Sequence, residues 1–372
     1  MNNDVKEIEP LKNIFICTYA HDRDTSRIKL IFGPFFKANG YNFDVLGPTG
    51  KGQCSKLTFV KRNVFLDFIN YHIQFIILAL RLRSSASYIF LDPGCVLTAW
   101  VARLVGAKVI YDVHEDYRLS AKQSNRYVKT MINALFHKLF VWVSHIVIVV
   151  NDELMSHLPK SKKAVIVYNC PDKETVQEMT GLNDISLNCI NTQDEYVGVY
   201  HGTLSESRGV FKAAKAARKV NISGTLDKPL RILIIGRASD QLKNKIDTYR
   251  DVLFHMPRMP VFDALNIASK CHFGFQLVDD IPRYKGGTPT KIFEYIILGL
   301  PVVVTNQTAK KKTFNNRAIY VDSMDIDDIA TGMEKAIDQA LETINIEIDN
   351  EFLRKYSCKF SLPKLGLLIS DY

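Results

Sequence analysis

The sequence predicts an α/β protein of two successive domains, each an open parallel sheet covered by helices. Three observations carry this. The chain has 372 residues, enough for two domains at roughly 150 residues each. Short apolar runs alternate with segments of helical spacing through both halves, the order that builds parallel sheets. A polar, weakly patterned stretch at 171–195 interrupts the alternation and reads as the linker. Hydrophobic residues make up 47% and charged residues 23%, ordinary composition with material for two cores.

The first half, 1–170, opens with an apolar run at Asn13–Tyr19, fit for a buried strand. Asp24–Asn39 has helical spacing through Ile28, Ile31, Phe35 and Phe36 and stops at Gly40. Tyr41–Leu46 is the next strand. Val64–Leu82 is apolar at helical spacing. Tyr88–Leu91 reads as a strand, Val96–Val105 as a helix ended by Gly106, and Lys108–Asp112 as a strand delivering Val113-His114-Glu115-Asp116. Helix Asn125–Val143 and strands Ile146–Val150 and Ala164–Tyr168 complete this half. The second half, 196–357, restarts with strand Tyr196–His201, helix Gly209–Val220 and strand Leu230–Ile235, which ends at Gly236. Helix Val261–Ser269, strand His272–Gln276, helix Lys291–Leu298, strand Pro301–Thr305 and helix Ile326–Glu342 follow. In open parallel sheets ligands bind beyond the carboxyl ends of the strands, so the loops there are where function is sought.

Bulk properties narrow the class. No stretch of ~18 residues is free of charged and strongly polar groups, so no transmembrane helix is expected. Met1–Leu11 is acidic and polar, unlike a secretory signal, and a cytoplasmic location is expected. The seven cysteines are scattered, form no CxxC pair, and read as reduced, mostly buried thiols. The net charge is +9, and all of it lies in the first half. Residues 1–170 hold 22 Lys and Arg against 13 Asp and Glu, and the remainder holds 26 against 26. A basic half points to a polyanionic partner. Nucleic acid fits on charge, but the interleaved aromatic and arginine pattern of such sites is missing. Basic residues Lys61, Arg62, Arg81 and Arg83 flank the apolar Val64–Leu82. Arg126, Lys129 and Lys138 stand beside Leu135, Phe136, Phe140 and Trp142 in the next long helix. These apolar faces are either core or a surface for an anionic membrane, and the charge asymmetry favours the membrane.

The strongest constellation is Gly286-Gly287-Thr288-Pro289-Thr290-Lys291-Ile292-Phe293-Glu294-Tyr295. A glycine pair leads into a helix whose first turn holds a hydroxyl and an ammonium beside free N–H groups, a site for phosphate. Glu294 is three residues beyond Lys291 on the same helix face, placed to accept hydrogen bonds from a ribose diol. A surface Lys–Glu pair is the plainer alternative. His114-Glu115-Asp116 sits at a strand end. Three adjacent residues rarely converge on one ion, so no metal site is read there.

The run TPTKIFEYIILGLPVVV resembles the donor-site signature of retaining GT-B glycosyltransferases, specifically their large family four. YDVHEDY at Tyr111–Tyr117, YHGTLSESRG at Tyr200–Gly209, ILIIGRAS at Ile232–Ser239 and the closing YSCKFSLPKLGLLISDY extend the resemblance along the chain. It implies two Rossmann-like domains facing a central cleft, with a last helix, about 358–372, crossing back to an N-terminal acceptor domain. It implies that Glu294 binds the ribose hydroxyls and that Thr290, Lys291 and Ile292 line the donor phosphates or sugar. It makes Arg208 the basic residue that holds the diphosphate, Gly202 and Thr203 the small turn beside it, and His114 the histidine facing the donor sugar. Arg208, Lys291 and His114 are then the catalytic set. Two departures stand out. Many members carry a glutamate where Gly286 stands, which leaves Asp279, Asp280 or Tyr284 as replacements for its sugar contact. The usual arginine at 202–208 is absent, with Arg237 as a substitute. The resemblance implies a metal-independent, cofactor-free, retaining hexosyltransferase. It uses a UDP-sugar, with GDP as the alternative, and a glycan or lipid-linked acceptor. Bacterial capsule or O-antigen assembly at the inner face of the cell membrane is the implied setting. A sugar-nucleotide epimerase and a non-catalytic glycosyltransferase partner are the alternatives.

Overall fold

The computed structural model describes residues 13–19, 25–48, 58–59, 64–114, 127–180, 191–279, 288–342 and 350–370. The chain divides into two compact units, Met1–Val167 with Ser361–Tyr372, and Tyr168–Phe360.

Unit 1 contains strands β1 (Asn13–Cys17), β2 (Asn42–Pro48), β3 (Thr58–Phe59), β4 (Ala86–Phe90), β5 (Lys108–Val113), β6 (Ile146–Val149) and β7 (Ala164–Ile166). They form one sheet in the order β3-β2-β1-β4-β5-β6-β7, with every neighbouring pair parallel. All four residues of β6, Ile-Val-Ile-Val, are buried, as a strand covered on both faces requires. Tyr111 of β5 stacks on Phe140 of helix Tyr127–Val143, with ring centroids 4.2 Å apart and planes within 5°. Helix Cys358–Ser370 places Leu362, Leu365 and Ile369 in the buried set, and the Lys108 ammonium donates to the Ile369 carbonyl.

Unit 2 contains β8 (Tyr196–His201), β9 (Leu230–Ile235), β10 (Leu253–Met256), β11 (Phe273–Gln276), β12 (Val302–Thr305) and β13 (Ile319–Val321). Its sheet runs β10-β9-β8-β11-β12-β13, again all parallel. Helix Val210–Ser223 buries Ala213, Ala214, Ala216 and Ala217, and such small side chains let its backbone lie close to its neighbours. Strand order reverses between β1 and β4 in one unit and between β8 and β11 in the other. At such a reversal the loops diverge and leave a crevice.

Some elements differ from the sequence reading. The helix expected over 24–39 starts as a wide π turn, Arg27–Phe32, before the α-helix Gly33–Ala38. Residues 171–195, expected as linker, include helix Lys173–Thr180. It buries Val176, and Asn266 donates to its Thr180 carbonyl at 2.8 Å. Two apolar residues in a polar octet, one of them buried, are too faint a pattern to read. β10, β13 and helices Asp240–Asp247 and Thr308–Phe314 were unassigned in the sequence, being short and only partly apolar. Among the described residues no helix is long and apolar enough to cross a membrane. Cys17, Cys95, Cys170, Cys271 and Cys358 are buried and free.

Candidate functional site

In unit 2 the sequence motifs converge at the reversal between β8 and β11. β8 ends at His201, and the chain turns through Gly202 with φ of +118°, a backbone that side-chain-bearing residues rarely adopt. A Cβ on Gly202 would lie 2.6 Å from Lys291 Cε and 2.8 Å from its Nζ. The Lys291 ammonium therefore rests directly on the Gly202 backbone. The turn is close-packed behind as well, since a Cβ on Gly236 would lie 2.0 Å from the Gly202 carbonyl oxygen. Lys291 also stands 5.4 Å from the centre of the Tyr200 ring.

Arg208 closes the short helical turn Glu206–Arg208 that follows β8. Its loop is tied to the one after β11, where the Asp279 N–H donates to the Ser207 carbonyl at 3.4 Å. Desolvation lowers the Lys291 pKa to about 8. The nearby Arg208 pushes the same way, and Glu294 opposes it. A third cation, missed in the sequence, joins them. Lys310 is fully buried, donates to Thr305 Oγ1 at 2.9 Å, and is lowered to about 7 by burial and then by Arg208. Sequence offers Lys310 only as the first of three consecutive lysines, which reads as a solvated run.

Glu294 lies on the inner face of helix Thr290–Ile297 and is fully buried. His201, also missed in the sequence, faces it with Nε2 3.1 Å from Glu294 Oε2. The Tyr295 hydroxyl accepts from the His201 backbone N–H at 3.1 Å, which holds the end of β8 against this helix. Thr290 is half-buried at the helix start, Ile292 is core, and Thr203 is exposed with its carbonyl accepting from Tyr200 Oη at 3.0 Å. Arg237 is exposed on the loop after β9. Asp279 is part-exposed and pairs with Lys212 at 3.6 Å. Gly286, Gly287, Asp280 and Tyr284 lie outside the described residues. Three further side chains are buried without a hydrogen-bond partner among the described residues: both polar atoms of Gln276 and Gln307, and the Thr288 hydroxyl.

Unit 1 has its own polar network at the carboxyl ends of its strands. Asp92, just past β4, accepts from Thr18 Oγ1 and from the Tyr19 N–H, both at 2.7 Å, and so bridges the reversal point. Asp112 of β5 is fully buried and takes a two-pronged bond from Arg27, at 2.9 and 2.7 Å. Arg27 also donates to the Val167 carbonyl at 2.7 Å. His114 follows β5 with Nε2 3.3 Å from Asp112 Oδ2. A carboxylate that is itself pinned by an arginine can orient an imidazole beside it. Glu115 and Asp116 lie outside the described residues.

This geometry can hold a polyanion. Two or three cations, a left-handed glycine turn and a helix start meet at one reversal point of unit 2, with a carboxylate and an imidazole one helix turn further in. No protein-family model matches the chain. No curated protein sequence matches it. Solved structures do. Sucrose-phosphate synthase from Thermosynechococcus elongatus superposes with a TM-score of 0.69 at 12% identity, over 97% of this chain and 98% of that one. The UDP-forming α,α-trehalose-phosphate synthase from Burkholderia vietnamiensis gives 0.68 at 11%, over 97% and 100%. Anabaena HepE, in complex with UDP and glucose, gives 0.65 at 10%, over 98% and 100%. At such identity the likeness concerns fold, and the fold is GT-B: two Rossmann-like parallel-sheet domains in one chain.

Proposed function

We propose that the chain is a glycosyltransferase that moves a sugar from a nucleoside diphosphate donor, UDP before GDP, to a glycan or lipid-linked acceptor with retention of configuration. The observation that carries this is the Lys291 ammonium lying on the Gly202 turn beside Arg208, at the reversal point of unit 2. A diphosphate leaving group accumulates negative charge on its oxygens. Fixed cations and helix-start N–H groups stabilise that charge without a metal or cofactor. Glu294, faced by His201, is the acceptor for the ribose diol. In this reading a phosphate oxygen takes the acceptor proton, and His114, oriented by Asp112, is the unit 1 group assigned to the sugar. Three neighbours of the same fold support the choice: two are named as synthases of phosphorylated sugars, and the third holds UDP and glucose.

The test is a panel of nucleotide sugars screened for thermal stabilisation, followed by transfer assays with the stabilising donor. A bound donor raises Tm by mass action. Stabilisation by one or more UDP-sugars, with release of UDP in the presence of acceptor, is expected. Full activity in excess EDTA is also expected. An absolute Mg²⁺ requirement, or isomerised donor with no transfer, overturns the reading.

The acceptor side of the proposal places unit 1 on an anionic membrane. Helices Val64–Leu82, Val96–Leu104 and Tyr127–Val143 bury one face and expose another that is also apolar, including Ile73, Leu97, Trp100, Leu104, Leu135 and Trp142. Trp100 and Trp142 stand 5.3 Å apart, which joins the last two helices into one surface. Neither of these two helices contains a carboxylate, whereas Arg103 and Lys138 are exposed on them. Apolar surface of this extent with a basic rim and paired tryptophans fits a headgroup interface. It suits a lipid-linked acceptor in surface-polysaccharide assembly.

A further inference from the structure

Lys310 is unexplained by the site so far. It lies on the inner face of helix Thr308–Phe314, one turn after Gln307 and one turn before Phe314, and all three are buried. Lys311 and Lys312 are exposed. Its Nζ has Thr305 Oγ1, at the end of β12, as hydrogen-bond partner. From β13, Tyr320 gives its hydroxyl to the Lys310 backbone carbonyl at 3.3 Å, not to the amine. From the loop after β8, Arg208 acts on it as a like charge. No carboxylate among the described residues forms an ion pair with it.

Thr305 Oγ1 also accepts from the Val278 N–H at 3.4 Å, and the next residue, Asp279, donates to the Ser207 carbonyl beside Arg208, which ties Lys310 to the Arg208 loop. A buried ammonium whose partner is a hydroxyl is costly. The same Arg208 also acts on Lys291, so both lysines share its electrostatic neighbourhood. Gln276 at the end of β11 and Gln307 beside Lys310 are buried with unpartnered amides. Two buried amides without partners, and a buried amine without a carboxylate among the described residues, are groups that a polar, anionic ligand would complete.

We propose that Lys310 is a positioning group of the donor-phosphate site, a positive charge set behind Thr305 and Arg208, so that an arriving diphosphate draws a proton onto it. The proposal rests on the nucleotide-sugar reading above. In the empty site burial and Arg208 hold the amine near pH 7 in its titration. Negative charge on the ligand favours the ammonium. The proton comes from solvent, and it returns there when the diphosphate leaves. Lys291, lowered to about 8, adds uptake at the upper end of the range, so the two lysines must be separated by substitution.

The experiment is titration calorimetry of the full chain with UDP and, separately, with inorganic pyrophosphate. It is run at pH 6.5 and pH 8 in two buffers of different ionisation enthalpy, on the wild type, Lys310→Met and Lys310→Arg. Wild type is expected to take up about one proton per ligand at pH 8 and less at pH 6.5. Lys310→Met should lose the larger part of that uptake and bind roughly tenfold or more weakly at pH 6.5, where the wild-type lysine is charged. Lys310→Arg, permanently charged, should lose uptake but keep affinity. The wild-type pH dependence tests the idea even if a variant fails to fold. Binding without proton uptake, or equal uptake in Lys310→Met, overturns the role of Lys310 and leaves the transferase reading standing. Lys310-dependent uptake with pyrophosphate but no binding of nucleotide supports the role and overturns the nucleotide reading. Binding of neither ligand overturns both.

Discussion

Single side chains decide this molecule's charge chemistry. Lys310 and Lys291 titrate near 7 and 8 in the folded chain against an ordinary 10.5. Between those values and 10.5 the unfolded chain holds more protons than the folded one, so stability rises with pH there. Below about 7 both states are protonated and the burial penalty is fully present. The Tm of the ligand-free protein should therefore rise from pH 6.5 to 8.5, and Lys310→Met should flatten the rise. A Tm falling over that interval in wild type but not in the variant contradicts the assignment. For catalysis, Arg208→Ala removes one charge-stabilising group and should lower kcat by about 10²–10³-fold in a folded protein, measured by UDP release. Arg27→Met removes the two-pronged partner of the buried Asp112 and should cost about 3–5 kcal/mol in denaturant titration. Lys291 and Glu294 stand out in the sequence at a helix start and His114 at a strand end, whereas Arg208 stands out only through the family resemblance. Their partners Asp112, Arg27, His201 and Lys310 do not stand out, since their roles depend on residues distant in sequence.

At the scale of elements, helix Thr290–Ile297 shows how one segment serves packing and ligand together. Ile292, Phe293, Ile296 and Ile297 bury its core side, while Lys291 and Glu294 reach the Gly202 turn and His201. Gly202→Ala adds a methyl into the Lys291 side chain at a strained φ, and should weaken UDP binding by about tenfold or more in calorimetry through backbone strain and a displaced ammonium. The helices Val64–Leu82, Val96–Leu104 and Tyr127–Val143 pose the opposite case. The sequences of the first and third are compatible with core or membrane; the structure buries one face of each helix and leaves another, also apolar, exposed. Apolar periodicity reveals a helix, but a helix apolar all round does not say which face meets its sheet. Leu104 is 77% exposed. Leu104→Glu should therefore leave the unfolding free energy within about 0.5 kcal/mol of wild type, measured by denaturant titration. The same change should reduce cosedimentation with anionic vesicles, and retention of full vesicle binding counts against this face.

At the scale of the whole molecule, charge and ligand chemistry are divided between two units of like topology. The basic excess belongs to residues 1–170, and in the balanced second half Arg208, Lys291 and Lys310 share one electrostatic neighbourhood. Hydrogen exchange measures this division directly. Saturating UDP should protect the ends of β8, β11 and β12 and the start of helix Thr290–Ile297, with little change in β4, β5 and β6. Protection confined to unit 1 would move the donor site and overturn the assignment. Six clear strands in the first half and four in the second are enough to recognise two parallel sheets. β10 and β13 are only four and three residues long, too short to show a period.

By itself the sequence determined the α/β class, two parallel-sheet domains, and the placing of Thr290 and Lys291 at a helix start with Glu294 one turn on. These are local properties, set by periodicity, caps and spacing along a few residues. Only the tertiary structure decided that Lys310 is buried while Lys311 and Lys312 are exposed, that His201 faces Glu294, and that Asp112 is shared by Arg27 and His114. Burial and electrostatic neighbourhood arise from strands that are distant in sequence and adjacent in the sheet, and no local pattern records them.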